Sequence, residues 1–230
     1  MINNTNNKLL KPVLAAILAA LALIVGYLEI VWPMAPWLKL DFSEVVILIS
    51  FVLIGFNHTL AVIVIRSVVR WLISGHSTNI PFPFFGETVA IVASIVMILI
   101  YMGFSRVLRI NNYRYDRPNS VYEGNKSLVS GIGREIALIL IVTVLMALFM
   151  VTINYLVVTP SFASSGEYPF FISLVNSGKY DRMFGGPGIM NYTIFIVSLY
   201  GPFNLVKFAS CMILFTLIRR PILIAINSEE

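Results

Sequence analysis

A chain of 230 residues that is 58% hydrophobic and only 12% charged, with a mean hydropathy of +0.88, carries more apolar side chain than a soluble domain could bury. Several apolar runs approach or exceed the length that crosses a hydrocarbon core of roughly 30 Å, so the sequence reads as one integral membrane domain over residues 1–230. The net charge of +5 is small and its lysines and arginines gather at segment ends, which marks orientation in a membrane and argues against a nucleic-acid surface.

In chain order, Lys8 and Lys11 precede an apolar run from Val13 to Val31. It is long and lacks a clear cleavage site, so it reads as a retained span and not a signal peptide. Its alanines, Ala15, Ala16, Ala19, Ala20 and Ala22, recur at four-residue spacing and allow close helix packing, either within the bundle or against a partner. Glu29 to Glu44 reads as a loop, with Pro33, Pro36 and the interfacial tryptophans Trp32 and Trp37. Leu40-Asp41-Phe42-Ser43-Glu44 at its end suits a helix start.

Val45 to Ile73 admits two readings, one span with a tail or two short spans turning at Asn57-His58. The connector from Arg106 to Arg134 holds Arg109, Arg114, Arg117 and Lys126 against Asp116 and Glu123, and basic connectors stay cytoplasmic. The N-terminal lysines and Arg219-Arg220 belong on that side too, and only two spans between Val45 and Ile73 put all three there. The expected fold is therefore an all-α membrane protein of six transmembrane helices, roughly 12–31, 43–56, 59–74, 84–105, 135–158 and 198–219, with both termini cytoplasmic. His58 becomes an inner turn residue without a catalytic role. Thr159 to Gly188 becomes an external connector with a Gly-Gly-Pro-Gly turn.

The last span contains the most informative stretch, Tyr200 to Phe208. Gly201-Pro202 breaks a run too long for one simple helix, and the helix is expected to start near Pro202. Asn204 and Lys207 follow on one face, where an amide and an ammonium at membrane depth are costly without partners. Asn154, Glu87, Arg70, Asp41 and Glu44 all fall in the outer half of their segments, with Arg66 the main exception. A proton or ion pathway would scatter such groups through the full depth. Their clustering points to a cup open to the exterior, walled by Phe, Tyr, Leu and Val, with a few polar groups to orient a ligand.

Familiar catalytic patterns are missing. There is no Walker A sequence, no His-Glu-x-x-His, no paired-cysteine metal motif and no second cysteine to pair with Cys211, which reads as a small buried hydrophobe. An intramembrane enzyme built on Glu87, Arg70 and His76 would need a denser cluster of acid, base or metal groups. A purely structural membrane protein leaves the buried Lys207 without a reason. Neither a catalytic activity nor a cofactor is expected.

Taken together, Leu40-Asp41-Phe42-Ser43-Glu44-Val45 after a Pro/Trp loop, Arg66-Ser67, Ile153-Asn154-Tyr155 and Pro202-Phe203-Asn204-x-x-Lys207 resemble the riboflavin-specific S component of energy-coupling factor (ECF) vitamin transporters. The resemblance extends over nearly the whole chain. It implies a bacterial inner-membrane subunit that binds riboflavin from outside, joins a transmembrane coupling subunit and two cytoplasmic ATPases, and topples in the membrane to deliver the vitamin. It carries the polar ligands to riboflavin over to Asn154, Asn204 and Lys207, with Leu40, Asp41, Phe42 and Glu87 as further candidates around the ligand. The face toward the coupling subunit carries over to Ala15, Ala16, Ala19 and Ala20, and the Trp32 to Leu40 loop is a natural lid. Two departures, Asn57-His58 in place of a Gly-Pro type turn and Glu87 where relatives often carry Asn, leave an S component for pantothenate, folate or a pyridoxine relative as the alternative.

Overall fold

The computed structural model of the chain describes residues 3–74, 82–108, 110 and 128–227. His76 and most of the basic connector, including Arg109, Arg114, Arg117 and Lys126, lie outside the described residues. Helix α1 (Asn3–Gly26) buries one stripe, Ala15, Leu18, Ala19 and Ala22, against Val46 and Ile54 of the second helix and Val62 of the third. The spacing of three and four residues keeps that stripe on one side of the helix, and the alanines let the backbones approach closely. Ala16 and Ala20 face outward. The four alanines expected to form a partner face are thus split, because Ala15 and Ala19 are consumed by the bundle's own packing.

The Pro/Trp stretch is not a plain loop. Ile30–Trp32 (β1) and Ala35–Leu40 (β2) form an antiparallel hairpin in register Ile30 with Leu40 and Val31 with Lys39. Three consecutive β-branched or aromatic residues favour extended backbone, and Pro33 sits in the turn, where no ladder donor is needed. Glu29 and Lys39 pair across its base at 2.5 Å.

Beyond Ser43 and Glu44 at its start, helix α2 (Ser43–Ile54) is apolar but for Ser50 and almost wholly buried, as a central helix must be. It is separated from α3 (Phe56–Ile73) by Gly55 alone, at φ 80°. That left-handed value is one an L side chain adopts only under strain. The reversal therefore falls at Gly55, and Asn57 and His58, expected to form the turn, lie in the first turn of α3.

Helix α4 (Phe85–Val107) precedes α5 (Leu128–Ile153), which continues through a π-helical stretch, Asn154–Val158, into α6 (Thr159–Ala163). Pro160 supplies no N–H and its ring crowds the carbonyl four residues earlier, so a locally widened helix before it absorbs the mismatch. Helix α7 (Phe171–Ser177) lies in the connector. Helix α8 runs unbroken for 39 residues, Ile189–Asn227, with Pro202 and Pro221 inside it. The expected start at Pro202 is corrected accordingly. A long apolar helix can keep a proline where neighbouring helices and local adjustment re-satisfy the freed carbonyl.

Val45, Phe51, Met97, Val142, Met146 and Met212 belong to the main core, which joins α2, α4, α5 and α8 with Ile63 of α3. A separate aromatic cluster gathers Ala35 of the hairpin, Leu174 of α7 and Tyr192, Ile196, Leu199 and Tyr200 of α8. Among the described residues, Phe56–Ile73, Phe85–Val107, Gly131–Ala163 and Ile189–Arg219 are long and apolar enough to cross a membrane. Leu10–Gly26 and Ser43–Ile54 are shorter apolar helices.

Candidate functional site

Some of the polar side chains expected at one end of the bundle, Asp41, Glu44 and Lys207, gather where β2 passes into α2. Asp41 lies in that joint, outside either element. Its Oδ1 accepts from Ser43 Oγ at 2.5 Å and from Ser43 N at 3.3 Å, and its Oδ2 accepts from Lys207 Nζ at 2.8 Å. Burial alone would push the Asp41 carboxyl up. The Lys207 ammonium, its hydrogen bond, the Ser43 hydroxyl and the Arg66 guanidinium outweigh that effect and hold it well below the usual carboxylate range. One turn further along α8, Cys211 Sγ lies 3.7 Å from the Asp41 carbonyl oxygen, so the buried thiol also faces this joint. The ion pair answers the question raised by a lysine at this depth, since its charge is matched within the chain.

A second tier surrounds that pair. Arg66 of α3 is buried, with Nη1 donating to Ser43 Oγ at 2.8 Å and lying 3.5 Å from Glu44 Oε1. Ser94 of α4 donates to the same Glu44 oxygen at 2.6 Å. One turn along α3, Arg70 donates to Glu29 Oε1 at 2.9 Å, and its Nε lies 3.8 Å from Glu87 Oε1. Carboxylates from the hairpin joint, α2 and α4 thus alternate with cations from α3 and α8. Four buried polar atoms in this region, Trp32 Nε1, Glu44 Oε2, Arg66 Nε and Glu87 Oε2, have no hydrogen-bond partner among the described residues.

Of the residues singled out from sequence, Asp41 and Lys207 are in direct contact, and Leu40 and Phe42 flank that contact. Glu87 pairs with Arg70 and not with Lys207. Asn204 and Asn154 are both buried, and each donates through Nδ2 to the carbonyl four residues earlier, Tyr200 at 2.8 Å and Met150 at 2.7 Å. That uses one of two amide donors in each case. Asn154 stands at the first position of the π stretch. Sequence reasoning placed Glu44 among the clustered polar groups but missed Ser43 and Ser94 as members of the network. Ser43 reads as a helix-start residue, and a lone serine in an apolar helix gives no signal of its own.

Aromatic rings line the hairpin side. Trp32 meets Phe203 edge-on at 5.7 Å and 76°, Tyr200 OH accepts from Thr159 Oγ1 at 3.2 Å, and Tyr192 OH donates to the Tyr155 carbonyl at 2.7 Å. The hairpin thus rests on the first half of α8, directly above Asn204 and Lys207 in the sequence of that helix.

The family model described as ECF transporter, substrate-specific component, matches residues 10–219. The chain belongs to this ECF substrate-specific component family. Its members are substrate-binding subunits of transporters, and with the apolar helices above this makes the present ECF component a multi-pass membrane protein. The S component of a bacterial ECF transporter has a similar fold, at a TM-score of 0.53 and 19% identity over 97% of this chain and 99% of that one. No curated protein matches the sequence of this ECF component.

Proposed function

We propose that this ECF component captures riboflavin from the outside of a bacterial inner membrane and delivers it to the cytoplasm by association with a transmembrane coupling subunit and two ATPase subunits. In this reading the six apolar helices all cross, both termini are cytoplasmic, and the hairpin is the lid over an outward-facing site. The observation that carries it is the half-buried Asp41–Lys207 pair, three residues along α8 from Asn204, beneath an aromatic-lined hairpin.

Riboflavin offers a flat tricyclic ring, a polar pyrimidine edge and a hydroxylated tail. Aromatic and aliphatic walls suit the ring. Amides can donate and accept at the pyrimidine edge, and an ammonium has three donors, of which Asp41 takes one. The buried atoms that lack partners among the described residues are groups for which a polar guest would supply compensation. Asn154, Asn204 and Lys207 are the proposed polar ligands, with Leu40, Asp41, Phe42 and Glu87 around them. Ala16 and Ala20, exposed on α1, are the part of the alanine face free to meet the coupling subunit.

Titration of the purified protein with riboflavin, followed by quenching of flavin fluorescence, tests the reading. Asn204→Ala and Lys207→Ala are each expected to weaken binding by about tenfold or more. Wild-type affinity in both variants contradicts the site assignment.

A further inference from the structure

We infer that Arg66 is a positioning residue of this site, acting through Ser43 and Asp41 to set where the Lys207 ammonium sits; the inference rests on the reading of Lys207 as a ligand-binding group. Arg66 is 2% exposed, so its guanidinium makes its interactions inside the protein. A serine hydroxyl has one proton. Ser43 Oγ gives that proton to Asp41 Oδ1 at 2.5 Å, and therefore receives from Arg66 Nη1 at 2.8 Å. The order Arg66 to Ser43 to Asp41 is fixed, and Lys207 closes it from the other side on Oδ2 at 2.8 Å.

Each link limits the next. The two carboxylate oxygens of Asp41 are divided between Ser43 and Lys207, so the Ser43 bond sets how the carboxylate is turned and with it the direction in which Lys207 is drawn. The same Nη1 of Arg66 lies 3.5 Å from Glu44 Oε1, an oxygen that Ser94 of α4 also binds at 2.6 Å. A guanidinium suits the post because its planar group holds one nitrogen, Nη1, in a fixed direction against both the hydroxyl at 2.8 Å and the carboxylate at 3.5 Å. Polarised chains of this kind strengthen link by link in a low dielectric. The result is a relay across α4, α3, the hairpin joint and α8, ending on the cation proposed to meet the ligand.

The test is a double-mutant cycle on the full-length protein in detergent, with two readouts. Thermal unfolding of ligand-free Ser43→Ala, Lys207→Met and the double variant measures whether two side chains that do not touch are coupled. Riboflavin affinity of the same proteins and of Arg66→Lys, which keeps the charge opposite Glu44 but not the fork, is read by fluorescence quenching. The expected result is non-additive loss of Tm, with the double variant unfolding close to Lys207→Met. Arg66→Lys is expected to bind about tenfold more weakly with little change in Tm, a split that a merely structural role would not produce. Additive losses in the ligand-free cycle overturn the relay, as does wild-type affinity in Arg66→Lys. Ser43→Ala leaves every charge in place, so the cycle stays readable where an Arg66 variant does not fold. Coupled unfolding in a protein that binds no riboflavin keeps the relay and removes only the flavin reading.

Discussion

The two ends of the bundle bury charge in different ways. At the end opposite the hairpin, Arg219 of α8 donates to Tyr101 OH of α4 at 2.9 Å and to Glu135 of α5 at 2.8 Å, and lies 5.7 Å from the Phe215 ring. Those bonds join the sides of three helices and act as a clamp. At the hairpin end the central acceptor, Asp41, belongs to no helix. It sits in the joint through which the hairpin is attached, bonded directly to Lys207 of α8 and through Ser43 to Arg66 of α3. A bond between helix flanks fixes the bundle, whereas a bond to a joint ties the posture of the hairpin to the lysine beneath it. The difference teaches which buried charges to regard as architecture and which as site.

The largest effect should come from the clamp. Arg219→Met removes a cation that Glu135 and Tyr101 both bind and is expected to lower stability by about 3–5 kcal/mol, the usual cost of breaking a buried pair. Riboflavin affinity in the protein that survives should stay at the wild-type value. Lys207→Met should lower stability too, since it strands Asp41, but unlike the clamp variant it should also cost about 1.5–3 kcal/mol in flavin binding by fluorescence titration, as for a hydrogen bond to a charged group. Equal affinity losses at the two ends would erase the distinction drawn above.

Smaller changes sharpen it. Gly55→Ala introduces a side chain at φ 80° in the α2–α3 reversal and should lower stability by roughly 1 kcal/mol in chemical denaturation, with flavin affinity unchanged. Smallest of all, Glu167→Gln removes the partner of Lys179 from a pair whose side chains are 51% and 56% exposed, and no change in Tm or affinity is expected.

The helices were legible in the sequence because long apolar runs have few alternatives, and the gathering of polar residues at one end followed from their positions along those runs. The reversal between α2 and α3 was assigned to the polar pair Asn57-His58, when the backbone required the one residue tolerant of positive φ, Gly55. Pro202 looked like a helix start because proline favours the first turn. Within a packed apolar helix the same residue is accommodated by its neighbours, and α8 passes through it. The hairpin escaped notice because β1 is three residues long and its prolines suggest irregular chain. Asp41 and Lys207 were each picked out, but their pairing was not, since a contact across 166 positions leaves no periodic trace. The alanine stripe was visible, and its division between inward Ala15 and Ala19 and outward Ala16 and Ala20 depended on how α1 is rotated against α2 and α3.

The central claim is that the polar groups under the hairpin serve a flavin. Protein purified from cells supplied with riboflavin, then denatured so that any bound small molecule can be identified by absorbance and mass spectrometry, tests it most directly. The account predicts riboflavin in near-equimolar amount with the chain, its fluorescence quenched until the protein unfolds. A different vitamin, or no flavin from a protein that remains folded and monodisperse, would contradict it.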